Sequence, residues 1–246
     1  MARSSGKASR SFPAKKVSRE HTQEERSSSR QESKGYQSNY NFKEVEPLNY
    51  IQGEYLDAIR HCDIVFGVGS AGTGKTFIAA SYAASELFHR RVSKIILTRP
   101  NVETGRGLGF LPGTLEEKYA PYLLPFDAIF SRALGKGFYE YALKNKDIEP
   151  TPLGFLRGTT FEDCIVLLDE AQNCSKEEMK MLLSRIGKNC KMIISGDTEQ
   201  ADIEYSGLED AIGRLHGIPG IEVIEFLDED IVRSKMCKQI IMAYRN

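Results

Sequence analysis

No apolar run in these 246 residues approaches the roughly 20 consecutive residues that a membrane-spanning helix needs, and the first residues lack the apolar core of a signal peptide. The expected setting is cytoplasmic, with no membrane partner. Cysteine is sparse: Cys62, Cys164, Cys174, Cys190 and Cys237 are scattered, form no C-x-x-C pair and have no histidines at zinc spacing. Neither a structural metal nor a disulfide framework is expected, and Cys62 and Cys164, at the starts of apolar runs, read as small buried hydrophobes. A guanine-reading NKxD pattern is missing as well, because Ile148 stands where Asn145-Lys146-Asp147 would need an aspartate next.

Aliphatic residues are almost absent from 1–40, a stretch rich in Ser, Arg, Lys and Gln that buries too little apolar surface to fold alone. It holds nine Lys or Arg against four Glu, a net of +5, which leaves −6 on the remainder of a chain whose total is −1. A basic, disordered arm therefore precedes an acidic body at 41–246. The arm has two readings, a solvated tail or a contact for nucleic-acid phosphate. Hydrophobic residues make up 41% of the chain, enough for a substantial core.

What is present is a phosphate-binding loop. Gly69-Ser70-Ala71-Gly72-Thr73-Gly74-Lys75-Thr76 fills the G-x-x-x-x-G-K-[ST] pattern, with Ile64-Val65-Phe66-Gly67-Val68 as the strand leading in and Phe77-Ile78-Ala79-Ala80 opening the helix that leads out. Glycines let consecutive backbone N–H groups and the positive helix end converge on one anion. Lys75 adds a point charge for the phosphates, and Thr76 a hydroxyl for Mg2+.

Further strands are expected at Lys94-Ile95-Ile96-Leu97-Thr98, Cys164-Ile165-Val166-Leu167-Leu168, Lys191-Met192-Ile193-Ile194-Ser195 and 221–226. The continuous apolar run at 164–168 has the texture of a parallel strand covered on both faces. Helices are expected at 54–61, from the glycine loop to about 90, at 126–143, at 176–186 with Ser175 and Glu178 as a capping box, at 208–215 and at 230–244. The pattern predicts an α/β domain with a doubly wound, mostly parallel sheet. The connection 101–125, with glycines at 105, 107, 109 and 113, is long enough to be functional.

Polar residues gather past the carboxyl ends of four strands, where ligands bind in open α/β sheets. Asp169 stands where a carboxylate holds Mg2+ through water opposite Thr76. Glu170 suits the base that orients or deprotonates a water, and Gln200 a sensor of the γ-phosphate. Arg233 reads as an arginine finger or as a solvated helix arginine, and Arg185 is a weaker finger candidate. Gln52 suits an amide reading adenine's edge or a plain surface glutamine.

Together GSAGTGKT, LTRPNVETGRGLGFLPG, LLDEAQN, GDTEQAD and EDIVRS resemble the PhoH family, phosphate-starvation-inducible ATPases also common in phage genomes. The resemblance spans about 42–246. It implies a single RecA-like P-loop NTPase domain that binds ATP and Mg2+ and is associated with RNA, with helicase activity ascribed to the family. For a phage-encoded member the setting is the host cytoplasm. By motif it assigns Lys75 and Thr76 to phosphate and magnesium, Asp169 and Glu170 to the acidic pair and Gln200 to phosphate sensing. It points to Arg99 and Asn101 as contacts for single-stranded RNA or DNA. The family's usual VRH is here Val232-Arg233-Ser234, so the histidine has no counterpart while the arginine stays available. About 170 residues follow the loop, with no room for a PIN-type nuclease or a second RecA domain. If Arg233 or another arginine completes the site, it acts either in its own subunit or from a neighbour in a head-to-tail ring, and a ring, a hexamer or similar, is expected. A slow nucleotide-dependent switch or scaffold is the alternative, and a small-molecule kinase is a weaker third.

Overall fold

The structure, a computed structural model, describes residues 42–100 and 124–245. The chain enters through α1 (Tyr50–His61), whose N-cap Asn49 accepts the Gln52 N–H, then β1 (Ile64–Gly69) and α2 (Lys75–Phe88). There follow β2 (Lys94–Thr98), α3 (Leu124–Leu134), α4 (Lys136–Lys144), β3 (Ile148–Pro150), β4 (Cys164–Leu168) and α5 (Lys176–Leu183). The remaining elements are β5 (Cys190–Gly196), α6 (Gly207–Leu215), β6 (Ile221–Phe226) and α7 (Lys235–Arg245).

The six strands form one sheet in the order β3-β2-β4-β5-β1-β6, every pairing parallel. Alternation of side chains along each strand sorts them onto two faces. Val65, Ile95, Leu97, Ile165, Leu167 and Ile193 pack under α1 to α4, while Phe66, Ile96, Val166, Leu168, Met192 and Ile194 pack under α5 and α6. Both faces are covered, so the central strands read as continuous apolar runs rather than alternating ones. Alanines at 79, 80, 83 and 84 are buried along α2 and let that helix sit close to the sheet.

Several expected boundaries shift for local reasons. The helix expected over 126–143 is two helices, broken where Gly135 takes φ 76°. The final helix begins only at Lys235, after a 3-10 turn at Asp228–Asp230 and extended backbone at Ile231, and the Ser234 hydroxyl accepts the Cys237 N–H at its start. Helix α5 ends at Leu183, three residues early, although the Ser175–Glu178 capping box forms as expected. Strand β3 has no counterpart in the expectations, being three residues long and ending in proline. No helix among the described residues is long and apolar enough to cross a membrane. Asn101 and most of the glycine-rich connection lie outside the described residues.

Candidate functional site

The loop leaving β1 is shaped by left-handed glycines. At Gly72 (φ 85°) an added Cβ would meet Arg233 Cδ at 2.9 Å, and at Gly74 (φ 91°) Gln52 Nε2 at 2.7 Å, so both positions favour glycine for their left-handed backbone and a Cβ there would push these side chains aside. The Val232 N–H donates to Gly72 O at 3.1 Å. Arg233 thus lies against the loop of its own chain, at a bend before α7 rather than within a helix.

Lys75 opens α2 and curls back over the loop. Its Nζ donates to Gly69 O at 2.6 Å, Ser70 O at 2.7 Å and Thr73 Oγ1 at 3.2 Å, and sits 5.6 Å from the centroid of the Phe226 ring. Burial pushes its pKa down from 10.5 to about 8, against the opposing pull of Asp197, Asp169 and Glu170. An ammonium held this way is poised to exchange carbonyl partners for phosphate oxygens.

Opposite the loop, β4 ends in the acidic pair. Thr76 Oγ1 donates to Asp169 Oδ1 at 3.0 Å, as the shared register of β4, β5 and β1 allows. Burial raises the Asp169 pKa, with Arg99 countering it most. Glu170 takes a left-handed backbone conformation, φ 55°. One of its oxygens accepts from Arg99 Nη2 at 2.9 Å and the other from Gln172 Nε2 at 2.6 Å. Arg99 Nε also lies 3.7 Å from Asp169 Oδ2. Arg99, expected as a nucleic-acid contact, is therefore engaged with the acidic pair.

Two other expected roles meet different surroundings. The Gln52 amide is buried and spent on backbone: Oε1 accepts the Leu48 N–H at 2.8 Å and Nε2 donates to Thr73 O at 2.8 Å. It braces the loop instead of offering a free edge to a base. Arg185 sits beyond α5 at the amino edge of the sheet, where its carbonyl accepts the Phe161 N–H at 2.9 Å, and so is at the wrong end. Gln200 ends an exposed 3-10 turn, Thr198–Gln200, just past β5.

Three contributors went unassigned in the sequence reading. Asp197 Oδ2 accepts the Ala71 N–H at 3.1 Å, Gln172 Oε1 accepts the Asp197 N–H at 3.0 Å, and Asp228 accepts the Ser70 hydroxyl. Gln172 and Asp197 were visible as polar residues at strand ends. Asp228, two residues past β6, carried the same signal.

Thr76 Oγ1 and Asp169 Oδ1 are hard oxygen donors of the kind magnesium takes, and burial disfavours the charged form of Asp169, which a divalent cation would restore. Among the described residues no cluster of three or more His, Cys, Asp or Glu could cage a metal. Magnesium keeps waters and is held partly by substrate phosphates, so it asks few oxygens of the protein. The residues fit the ion.

An all-parallel sheet in this strand order, a glycine loop running from β1 into α2 and a carboxylate pair at the end of β4 define a RecA-like P-loop NTPase. Within that class the chain belongs to the PhoH family: the family described as PhoH-like protein matches residues 44–245. Over 196 residues the chain is 46% identical to the PhoH-like protein of Bacillus subtilis (strain 168), covering 78% of this chain and 61% of that one. It is 42% identical over 201 residues to Protein PhoH of Escherichia coli (strain K12), covering 80% and 57%. The chain thus spans only about three fifths of these curated relatives. Among solved structures it is similar to the large terminase from a thermophilic bacteriophage, at 11% identity and TM-score 0.47, covering 80% of this chain and 50% of that one. It is also similar to the UvsW helicase from Bacteriophage T4, at 13% identity and TM-score 0.44, covering 80% and 67%. Likenesses at that level carry no argument about function.

Proposed function

We propose that the protein binds ATP with Mg2+ and hydrolyses it, coupling turnover to single-stranded RNA or DNA as a ring oligomer, a hexamer in the simplest case. The observation that carries this reading is the convergence of Lys75, Thr76, Asp169 and Glu170 on one glycine loop. Loop amides and the Lys75 ammonium hold the phosphates, and Thr76 and Asp169 hold the magnesium. When bound, that ion neutralises charge developing on the phosphoryl oxygens. Glu170 orients a water and accepts its proton, while Gln200 senses the γ-phosphate. Positioning and fixed charge carry most of such a reaction.

Arg233, beside Gly72, is in reach of the same phosphates and serves as the cation that steadies the transition state. Its place on its own chain makes the ring testable by mixing. If Arg233 acts within its subunit, combining Arg233→Ala with Lys75→Ala protein restores no turnover, whereas restored activity assigns the arginine to a neighbour's site.

The alternative is a slow switch or scaffold. ATPase assays with and without single-stranded RNA and DNA, on the full chain and on a version lacking 1–40, separate the two. Many-fold stimulation is expected, and indifference to nucleic acid would favour the switch.

A further inference from the structure

We propose that Arg99 is a positioning residue that clamps Glu170, and that a nucleic-acid phosphate competing for its guanidinium releases the carboxylate for hydrolysis. This rests on Glu170 being the hydrolytic base, as proposed above.

Strands β2 and β4 run in register, Thr98 opposite Leu168, and the Asp169 N–H donates to Thr98 O at 3.1 Å. The residues just beyond, Arg99 and the acidic pair, are thereby forced side by side. The Arg99 fork spans both carboxylates, at 2.9 Å from Glu170 and 3.7 Å from Asp169. With Gln172 on the other side, each Glu170 oxygen accepts a bond from the chain's own donors. The left-handed backbone at Glu170 is one that L side chains seldom adopt, so these bonds hold it in a strained pose. Gln172 continues to the Asp197 N–H, and the Asp197 carboxylate reaches the Ala71 N–H of the glycine loop. The clamp is therefore one end of a hydrogen-bonded chain that finishes at the phosphate site.

A guanidinium that bonds one carboxylate and pairs loosely with a second has N–H groups that suit a phosphate oxygen as well. With its side chain 19% exposed, Arg99 is not sealed away, and Glu170 at 45% has room to turn. Competition of this kind is reciprocal: whatever weakens the hold of Glu170 on Arg99 strengthens the hold of the phosphate.

The test measures single-stranded RNA and DNA affinity without nucleotide for the wild type, Glu170→Gln, Arg99→Ala and the double variant. Glu170→Gln is expected to tighten binding on the order of tenfold, and the gain to vanish when Arg99 is also replaced. In ATPase assays Arg99→Ala is expected to raise kcat without nucleic acid, leave KM for ATP unchanged and abolish stimulation. Arg99→Lys keeps the charge but loses the guanidinium geometry, and its kcat without nucleic acid should fall between those of the wild type and Arg99→Ala. Unchanged or weaker binding by Glu170→Gln overturns the proposal, as does a lower kcat in Arg99→Ala. Should Arg99→Ala fail to fold, the Glu170→Gln affinity decides. A wild type that binds nucleic acid but never hydrolyses ATP defeats the proposed function, while the affinity comparison still reads the clamp.

Discussion

The two edges of one sheet make an instructive pair. At the carboxyl edge Lys75 is depressed by burial, and at the amino edge so is Lys191, whose ammonium donates to the Cys62 carbonyl. A cavity of about 500 Å³ opens at that amino edge, lined in part by Asp63, Glu86, Arg91 and Lys191. Its charges satisfy one another locally: Arg91 pairs with Glu86 at 2.8 Å, and Lys191 caps backbone. At the carboxyl edge the charged groups instead surround a loop of backbone amides at a helix start. A shifted pKa or a cavity therefore does not single out a reactive site, but convergence on a pre-shaped anion cradle does.

The sharpest way to break this contrast is to remove each lysine. Lys75→Ala is expected to lower ATP hydrolysis by orders of magnitude, while Lys191→Ala leaves turnover within about twofold of the wild type. Equal losses in steady-state assays would erase the distinction. Next in size, Glu170→Gln should keep ATP binding, read with a fluorescent analogue, and lose about a hundredfold or more in turnover.

A smaller effect comes from pH. The Lys75 ammonium begins to lose its proton near pH 8, below its usual 10.5, and phosphate binding favours the charged form. Binding therefore takes up a proton above about pH 8, and ATP affinity should fall up to tenfold per pH unit there, as calorimetry in buffers of different ionisation heat can read. The same shift has the opposite sign for folding. Between the two values the unfolded chain carries more protons, so this group adds stability to the nucleotide-free protein as pH rises through that window. The smallest expected change lies away from both edges: Ser175→Ala removes the α5 capping box and should cost about 1 kcal/mol in denaturant unfolding, with turnover little altered.

Much of the fold was legible because burial on both faces leaves a plain mark. Strands β1, β2, β4 and β5 each read as an apolar run, and the loop's spacing located the anion site before any tertiary contact was known. Strand β3 was not legible, since three residues ending in Pro150 carry no period. The break at Gly135 was hidden because a glycine inside an apolar helical pattern reads equally as a tolerated residue or an end. Gln52 was misjudged for a different reason: a side chain at a helix start looks exposed until the loop it braces is in place.

Local chemistry, carried in the order of residues alone, determined the glycine loop, the parallel sheet and the side of it on which Lys75, Thr76, Asp169 and Glu170 would meet. Only the folded chain decided who holds whom. Arg99 reaches Glu170 across 71 positions, Arg233 rests on Gly72, and Asp197 takes the Ala71 amide across 126. Such pairings depend on strand order and register, which bring distant strand ends within a few ångströms, and no local pattern encodes that distance.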